Sequence, residues 1–144
     1  MAAEDAADWA AMRETLWPGE DRGEEHVREI AALLADAGGT LNLIARDGDG
    51  TALGFLEASV RRDYVNGCET SPVAFLEGIF VFPGARGRGV ARALVNATED
   101  WAREQGLSEF ASDAAPENEA SLGMHAALGF GETQRVVFFR KALR

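Results

Sequence analysis

Apolar residues near the start of the chain recur every three or four positions. Trp9, Met12 and Leu16 do so within Asp8–Leu16, and Val27, Ile30, Leu33 and Leu34 within Glu24–Ala37. That period predicts two amphipathic helices, with Trp17-Pro18-Gly19 turning between them and Gly38-Gly39 stopping the second. The pattern then changes. Leu41–Arg46 reads as a strand, Asp47-Gly48-Asp49-Gly50 as a hairpin turn and Ala52–Arg62 as the returning strand. After a polar loop, Asp63–Pro72, the run Val73–Phe82 is apolar except for Glu77 and Gly78, which predicts a strand covered on both faces. Val90, Leu94, Val95, Thr98 and Trp101 mark a helix to Gln105, closed by Gly106. A strand over Leu107–Asp113, a helix over Asn118–Leu128 and a last strand over Thr133–Lys141, centred on Val136-Val137-Phe138-Phe139, complete the chain. Hairpins early and strand–helix–strand units late predict an α/β fold of mixed α+β character. Its mixed central sheet carries helices on both faces, in one domain spanning residues 1–144.

The 144 residues carry 24 acidic and 14 basic side chains, a net charge of −10. Nucleic acid and anionic membrane are therefore excluded as expected partners, since a grip on either needs clustered Lys and Arg. The acidity is uneven: residues 1–38 hold ten acids and three bases, the remainder fourteen and eleven. Such a front suits solubility, and equally suits a polycationic ligand. One cysteine, Cys68, allows no internal disulfide and no Cys-x-x-Cys metal pair. With no basic leader and no apolar run near the ~20 residues of a spanning helix, the expectation is a cytoplasmic protein without a resident metal.

The densest chemistry lies in Phe75-Leu-Glu-Gly-Ile-Phe-Val-Phe-Pro-Gly-Ala-Arg-Gly-Arg-Gly-Val-Ala91. A buried strand there runs into a glycine-rich turn that opens a helix, so free backbone N–H groups and the positive helix end converge on one spot. Arg86, Arg88 and Arg92 add positive charge. The segment lacks the Gly-Lys-Ser/Thr of a P-loop and the Gly-x-Gly-x-x-Gly of a dinucleotide fold.

Arg86-x-x-Gly89-x-Ala91, followed by Asn118-x-x-Ser121-x-x-x-His125-Ala-Ala-Leu-Gly-Phe130, resembles the acyl-CoA-binding core of the GNAT superfamily of N-acyltransferases over roughly residues 40–140. The blocks Leu16-Trp-Pro-Gly19, Arg62-Asp-Tyr-Val-Asn-Gly-Cys68, Ser71-Pro-Val73, Phe75–Val81, Ala111-Ser-Asp113 and Gly129-Phe-Gly-Glu-Thr133 resemble its aminoglycoside 6'-N-acetyltransferases of type I. The resemblance implies the GNAT fold, acetyl-CoA as co-substrate, transfer of acetyl to the 6'-amine of an aminoglycoside, and a homodimer. It also implies that Phe80 and Val81 contact the pantetheine arm. The amides of Arg86, Gly87, Arg88, Gly89, Val90 and Ala91 would hold the pyrophosphate, and Asn118 and Ser121 would lie across the arm. The family usually begins with a short strand, whereas Met1-Ala2-Ala3-Glu4 enters the first helix almost at once; either the start is truncated or the sheet lacks its first strand.

A polycationic sugar needs carboxylates and ring surfaces. Glu77, Asp113, Glu132, Trp17 and Tyr64 are the candidates for substrate binding. Glu77 is the candidate base, acting through water, because a carboxylate among apolar neighbours must be paired, solvated or ligand-facing. Asp113 would orient the ammonium, and a backbone N–H near Val81 would meet the oxyanion. His125 shares one helix face with Asn118 and Ser121, at i, i+3 and i+7, and stands where the resemblance places the acid that protonates the leaving thiolate. His26, in the acidic helix, is expected at the surface. The alternatives are a GNAT enzyme acting on polyamines or a protein amine, and a CoA-binding module without turnover.

Overall fold

The computed structural model describes residues 1–143. After a short 3-10 turn come α1 (Ala6–Leu16) and α2 (Arg22–Ala35), then β1 (Thr40–Arg46), β2 (Ala52–Arg61) and β3 (Val73–Val81). A second 3-10 turn over Pro83–Ala85 leads to α3 (Val90–Glu104), β4 (Phe110–Ala111) and α4 (Glu119–Ala127). The four strands lie in the order β1-β2-β3-β4, antiparallel except for the parallel pair β3–β4. The expected helices and first three strands fall within a residue or two of their places. No strand precedes α1, and the terminal amine instead donates to the Asn42 carbonyl of the edge strand β1.

Strand alternation divides the core in two. One face turns Leu56, Ala58 and Leu76 toward Val90, Leu94 and Val95 of α3. The other packs Phe55 and Phe80 against Trp9, Met12 and Ile30 of α1 and α2. The β2–β3 register slips between Glu57 and Ala58, so that Gly78 pairs with Glu57, Leu76 with Ala58, and Glu77 is the extra residue of a bulge. A bulge places two neighbouring side chains on one face. Glu77 therefore emerges beside Gly78 on the helical face, beyond the reach of α1, and is exposed. This corrects the expectation of a strand covered on both faces along its whole length.

The buried carboxylate is Glu57. Only 6% exposed, it receives both Nε and Nη2 of Arg13, at 2.7 and 2.6 Å, and Nε1 of Trp9 at 3.0 Å. Nη1 of Arg13 bonds Glu29 and faces Nδ1 of His26. Burial works against the Arg13 charge, yet its bonds to Glu57 and Glu29 outweigh that cost and raise its pKa, while the Arg13 bond lowers that of Glu29. His26 is fully buried, not at the surface. Because Arg13 donates to Nδ1, the ring proton sits on Nε2 and is given to the Trp17 carbonyl at 3.2 Å.

Two expected strands are reduced. Leu107–Asp113 contributes two paired residues, and Thr133–Lys141 forms no strand at all. Its side chains stand in solvent, Phe138 at 89% and Phe139 at 92% exposure. A strand needs a neighbour for its backbone hydrogen bonds, and among the described residues this segment has none. No helix among them is long and apolar enough to cross a membrane.

Removing one partner of a buried ion pair strands the other, whereas an exposed pair contributes little. Glu57→Ala should lower unfolding free energy by about 3–5 kcal/mol, and Glu77→Ala by less than about 1 kcal/mol. Urea denaturation of the two variants checks the order; equal losses would contradict it.

Candidate functional site

The geometry of the site follows from where β3 and β4 part. Ala74 pairs with Phe110 and Phe75 with Ala111, and there the parallel ladder ends. From Leu76 to Val81 the β4-facing edge of β3 is free of strand pairing, which leaves extended backbone N–H and C=O groups facing a gap. Pro83, two residues on, cannot continue the ladder, and Pro83–Ala85 turn the chain into the glycine loop.

That loop ends at α3. Gly87 and Gly89 take φ of 78° and 80°, the left-handed conformation that residues with a Cβ disfavour. Gly89 caps α3 without a side-chain hydrogen bond, so the first amides of the helix are open. A cavity of about 240 Å³ lies against Val81, Ala85, Arg86, Gly87, Gly89 and Arg92. Arg86 donates to the Val81 carbonyl at 3.1 Å, and Arg92 donates to the Ala127 carbonyl at 2.8 Å, tying the start of α3 to the end of α4. Arg88 is exposed beside them. The loop thus joins amides, a helix N-terminus and guanidinium groups, a set suited to a diphosphate. The ring of Phe80 is buried in the core and packs edge-on to Phe82 at 5.1 Å. Only its backbone is left to meet an extended ligand.

A larger cleft, about 1410 Å³, opens on the other side of the fork. Tyr64, Asp113, His125 and Glu132 line it together with Arg61 and Phe75. Tyr64 is 71% exposed, its ring free to receive a flat apolar surface. Glu132 is held by Arg135, whose bond keeps its carboxyl below the usual range. Trp17 and Glu77 are not among the lining residues, yet Arg61 connects Glu77 to it. Its Nε and Nη2 grip the two Glu77 oxygens at 3.0 and 2.8 Å, its guanidinium stacks 3.6 Å over Phe75, and Ser59 donates to Glu77 at 2.6 Å. The Glu77 bond, and more weakly Asp113, raise the Arg61 pKa. Trp17 stands next to Glu77, its ring over Gly78 and edge-on to Phe55.

Asn118 caps α4 by accepting the Ser121 amide at 3.1 Å. Nδ1 of His125 lies 2.7 Å from the Ser121 carbonyl and Nε2 lies 2.8 Å from Ser112 Oγ. Arg13, His26, Glu57, Arg61 and Ser112 were not legible as site-forming residues. Glu57 offered a signal, since it interrupts the apolar run of β2 as Glu77 interrupts that of β3. Among the described residues no group of three or more His, Cys, Asp or Glu is arranged to hold a metal ion.

Residues 6–130 match the model of the acetyltransferase (GNAT) family, and the chain belongs to that family. Its relatives narrow the class: it is 51% identical over 135 residues to an aminoglycoside N(6')-acetyltransferase type 1 of Acinetobacter genomosp. 13, covering 94% of this chain and 90% of the relative. A protein of the same description from Salmonella typhimurium is 49% identical, covering 92% and 90%. The crystal structure of an aminoglycoside 6'-N-acetyltransferase from Acinetobacter baumannii superposes with a TM-score of 0.93 at 46% identity, covering 100% of this chain and 96% of that one. A structure of AAC(6')-Iy in complex with the bisubstrate analogue CoA-S-monomethyl-acetylneamine superposes at 0.90 and 46% identity, covering 99% and 95%.

The seat of Trp17 can be tested directly. A Cβ on Gly78 would come within 2.4 Å of the Trp17 ring, whereas one on Gly84 meets nothing within 4 Å. Gly78→Ala should cost about 1–3 kcal/mol and alter the near-ultraviolet circular dichroism of the tryptophans, while Gly84→Ala leaves both unchanged.

Proposed function

We propose that this protein transfers acetyl from acetyl-CoA to the 6'-amine of aminoglycosides by direct attack of the amine on the thioester. What carries the reading is the fork between β3 and β4, with a diphosphate-suited loop at its far end and an acidic, aromatic cleft beside it. The half-identical relatives named for this activity support it.

In this reading the pantetheine arm enters the fork and pairs with the backbone of Phe80 and Val81. The pyrophosphate lies on the amides of Arg86 to Ala91, and Asn118 and Ser121 border the arm from α4. Trp17 and Tyr64 supply walls for the sugar rings, and Glu77, Asp113 and Glu132 attract its ammonium groups. Exposed beside the fork, Glu77 orients the 6'-ammonium and receives its proton through water. Asp113 fixes the amine from the segment just beyond β4. The tetrahedral oxyanion is met by a backbone N–H near Val81, and His125 supplies the proton for the departing thiolate.

The reading extends to a homodimer. Val136, Val137, Phe138 and Phe139 form an exposed apolar run next to the cleft, and Thr133 seats the segment against Gly67. A second copy would give this run the pairing edge it lacks within its own chain, and two-fold symmetry would bury it twice. The single free cysteine, Cys68, and dependence on acetyl-CoA fit the cytoplasm.

Thiol release from acetyl-CoA is the direct assay. Kanamycin or tobramycin should drive it, and rapid acetylation of spermidine with no response to any 6'-amino aminoglycoside would replace the substrate. Glu77→Gln should lower kcat more than it weakens acetyl-CoA, and Arg86→Ala should weaken acetyl-CoA while sparing aminoglycoside binding. Because the protein carries a net charge of −10 and its partner is a polycation, raised salt should weaken aminoglycoside capture by screening. Light scattering should give twice the chain mass, and Phe138→Asp should halve it.

A further inference from the structure

The environment of His125 shows that the imidazole does not face the fork alone. Its Nδ1 lies 2.7 Å from the backbone carbonyl of Ser121, and a carbonyl only accepts, so Nδ1 carries a proton. The ring is held from the side by Phe130, T-shaped at 5.3 Å. Nε2 is thereby aimed at one partner, Ser112 Oγ, at 2.8 Å. Ser112 follows Ala111, the last residue of β4 paired to β3, and so stands at the opening of the fork. Both residues line the cleft with Asp113 and Glu132.

We propose that the Ser112 hydroxyl is the group that protonates the departing CoA sulfur, with His125 acting behind it as the proton source. The proposal rests on the acetyltransferase reading and adds a residue to it. With Nε2 capped by Ser112, the imidazole reaches a thiolate in the fork only through that hydroxyl. As the C–S bond of the tetrahedral intermediate breaks, the Ser112 proton passes to sulfur, and the proton on Nε2 of the imidazolium passes to Ser112 Oγ. Nδ1–H stays on the Ser121 carbonyl throughout. The neutral imidazole then regains a proton from solvent, and the newly acylated nitrogen loses one to solvent, so the exchange balances. A hydroxyl suits this place because it donates and accepts at once, and its hydrogen rotates between the two partners.

The test is a double-mutant cycle on the single-turnover rate of acetyl transfer. Its acceptor is the amine, from a panel of aminoglycosides and polyamines, that the wild type acetylates fastest. Ser112→Ala should slow the step on the order of 10²-fold with unchanged acetyl-CoA affinity. His125→Ala should slow it comparably, and the double variant no further, because the two residues act as one path. Ser112→Thr, which keeps the hydroxyl, should restore most of the rate. Wild-type speed in Ser112→Ala, multiplicative losses in the double variant, or a loss confined to acetyl-CoA affinity would each overturn the relay. A wild type that acetylates polyamines and no aminoglycoside would fail the substrate reading alone, leaving the relay measurable; one that acetylates nothing in the panel would overturn both.

Discussion

Arg13 is enclosed by two helices and a sheet, and every one of its nitrogens is committed. Two meet the carboxylate of Glu57 as a fork, and the third meets Glu29 and the ring of His26. A charge in that position is tolerable only when fully paired, which fixes where α1 and α2 can sit relative to β2. The consequences reach the site. His26, oriented by Arg13, holds the Trp17 carbonyl, and the Arg13 guanidinium lies 5.4 Å from the centre of the Trp17 ring. The turn between the helices is thus set from within the core, and Trp17 is set over Gly78.

The same economy of position governs β3. Its bulge brings Glu77 to the helical face at the point where α1 ends, so a carboxylate that would be costly under the helices is solvated and gripped by Arg61. From Leu76 onward the same strand has lost its β4 neighbour and presents bare backbone along that edge. One strand therefore supplies an acidic group on its face and hydrogen-bonding groups along its edge. Acyl transfer between a cationic amine and an extended thioester requires both, held close to each other. The glycine loop beyond its end adds a third element, open amides and guanidinium groups at the start of α3.

The tail after α4 follows a different logic. Its sequence is β-branched and aromatic as a strand should be, but its chain offers it no edge, and its aromatic rings remain in solvent. Propensity makes a segment ready to pair and cannot provide the partner.

The sequence by itself determined the elements whose signals are local. Helical periodicity placed α1, α2 and α3, turn chemistry placed the β1–β2 hairpin, and the glycines of 84–89 marked the turn into α3, because each depends on residues a few positions apart. The motif blocks also led to the correct family. What the tertiary structure alone decided was which of two similar acids is buried. Glu57 and Glu77 both interrupt apolar strands, and only the register slip between those strands, together with the reach of α1, sends one into the core beside Arg13 and the other to the surface beside Arg61. The partnership of Ser112 with His125 was equally hidden, since it joins the end of a two-residue strand to a helix thirteen positions on. Periodicity reports the face a residue occupies on its own element; what lies opposite that face is fixed by packing between elements distant in the chain.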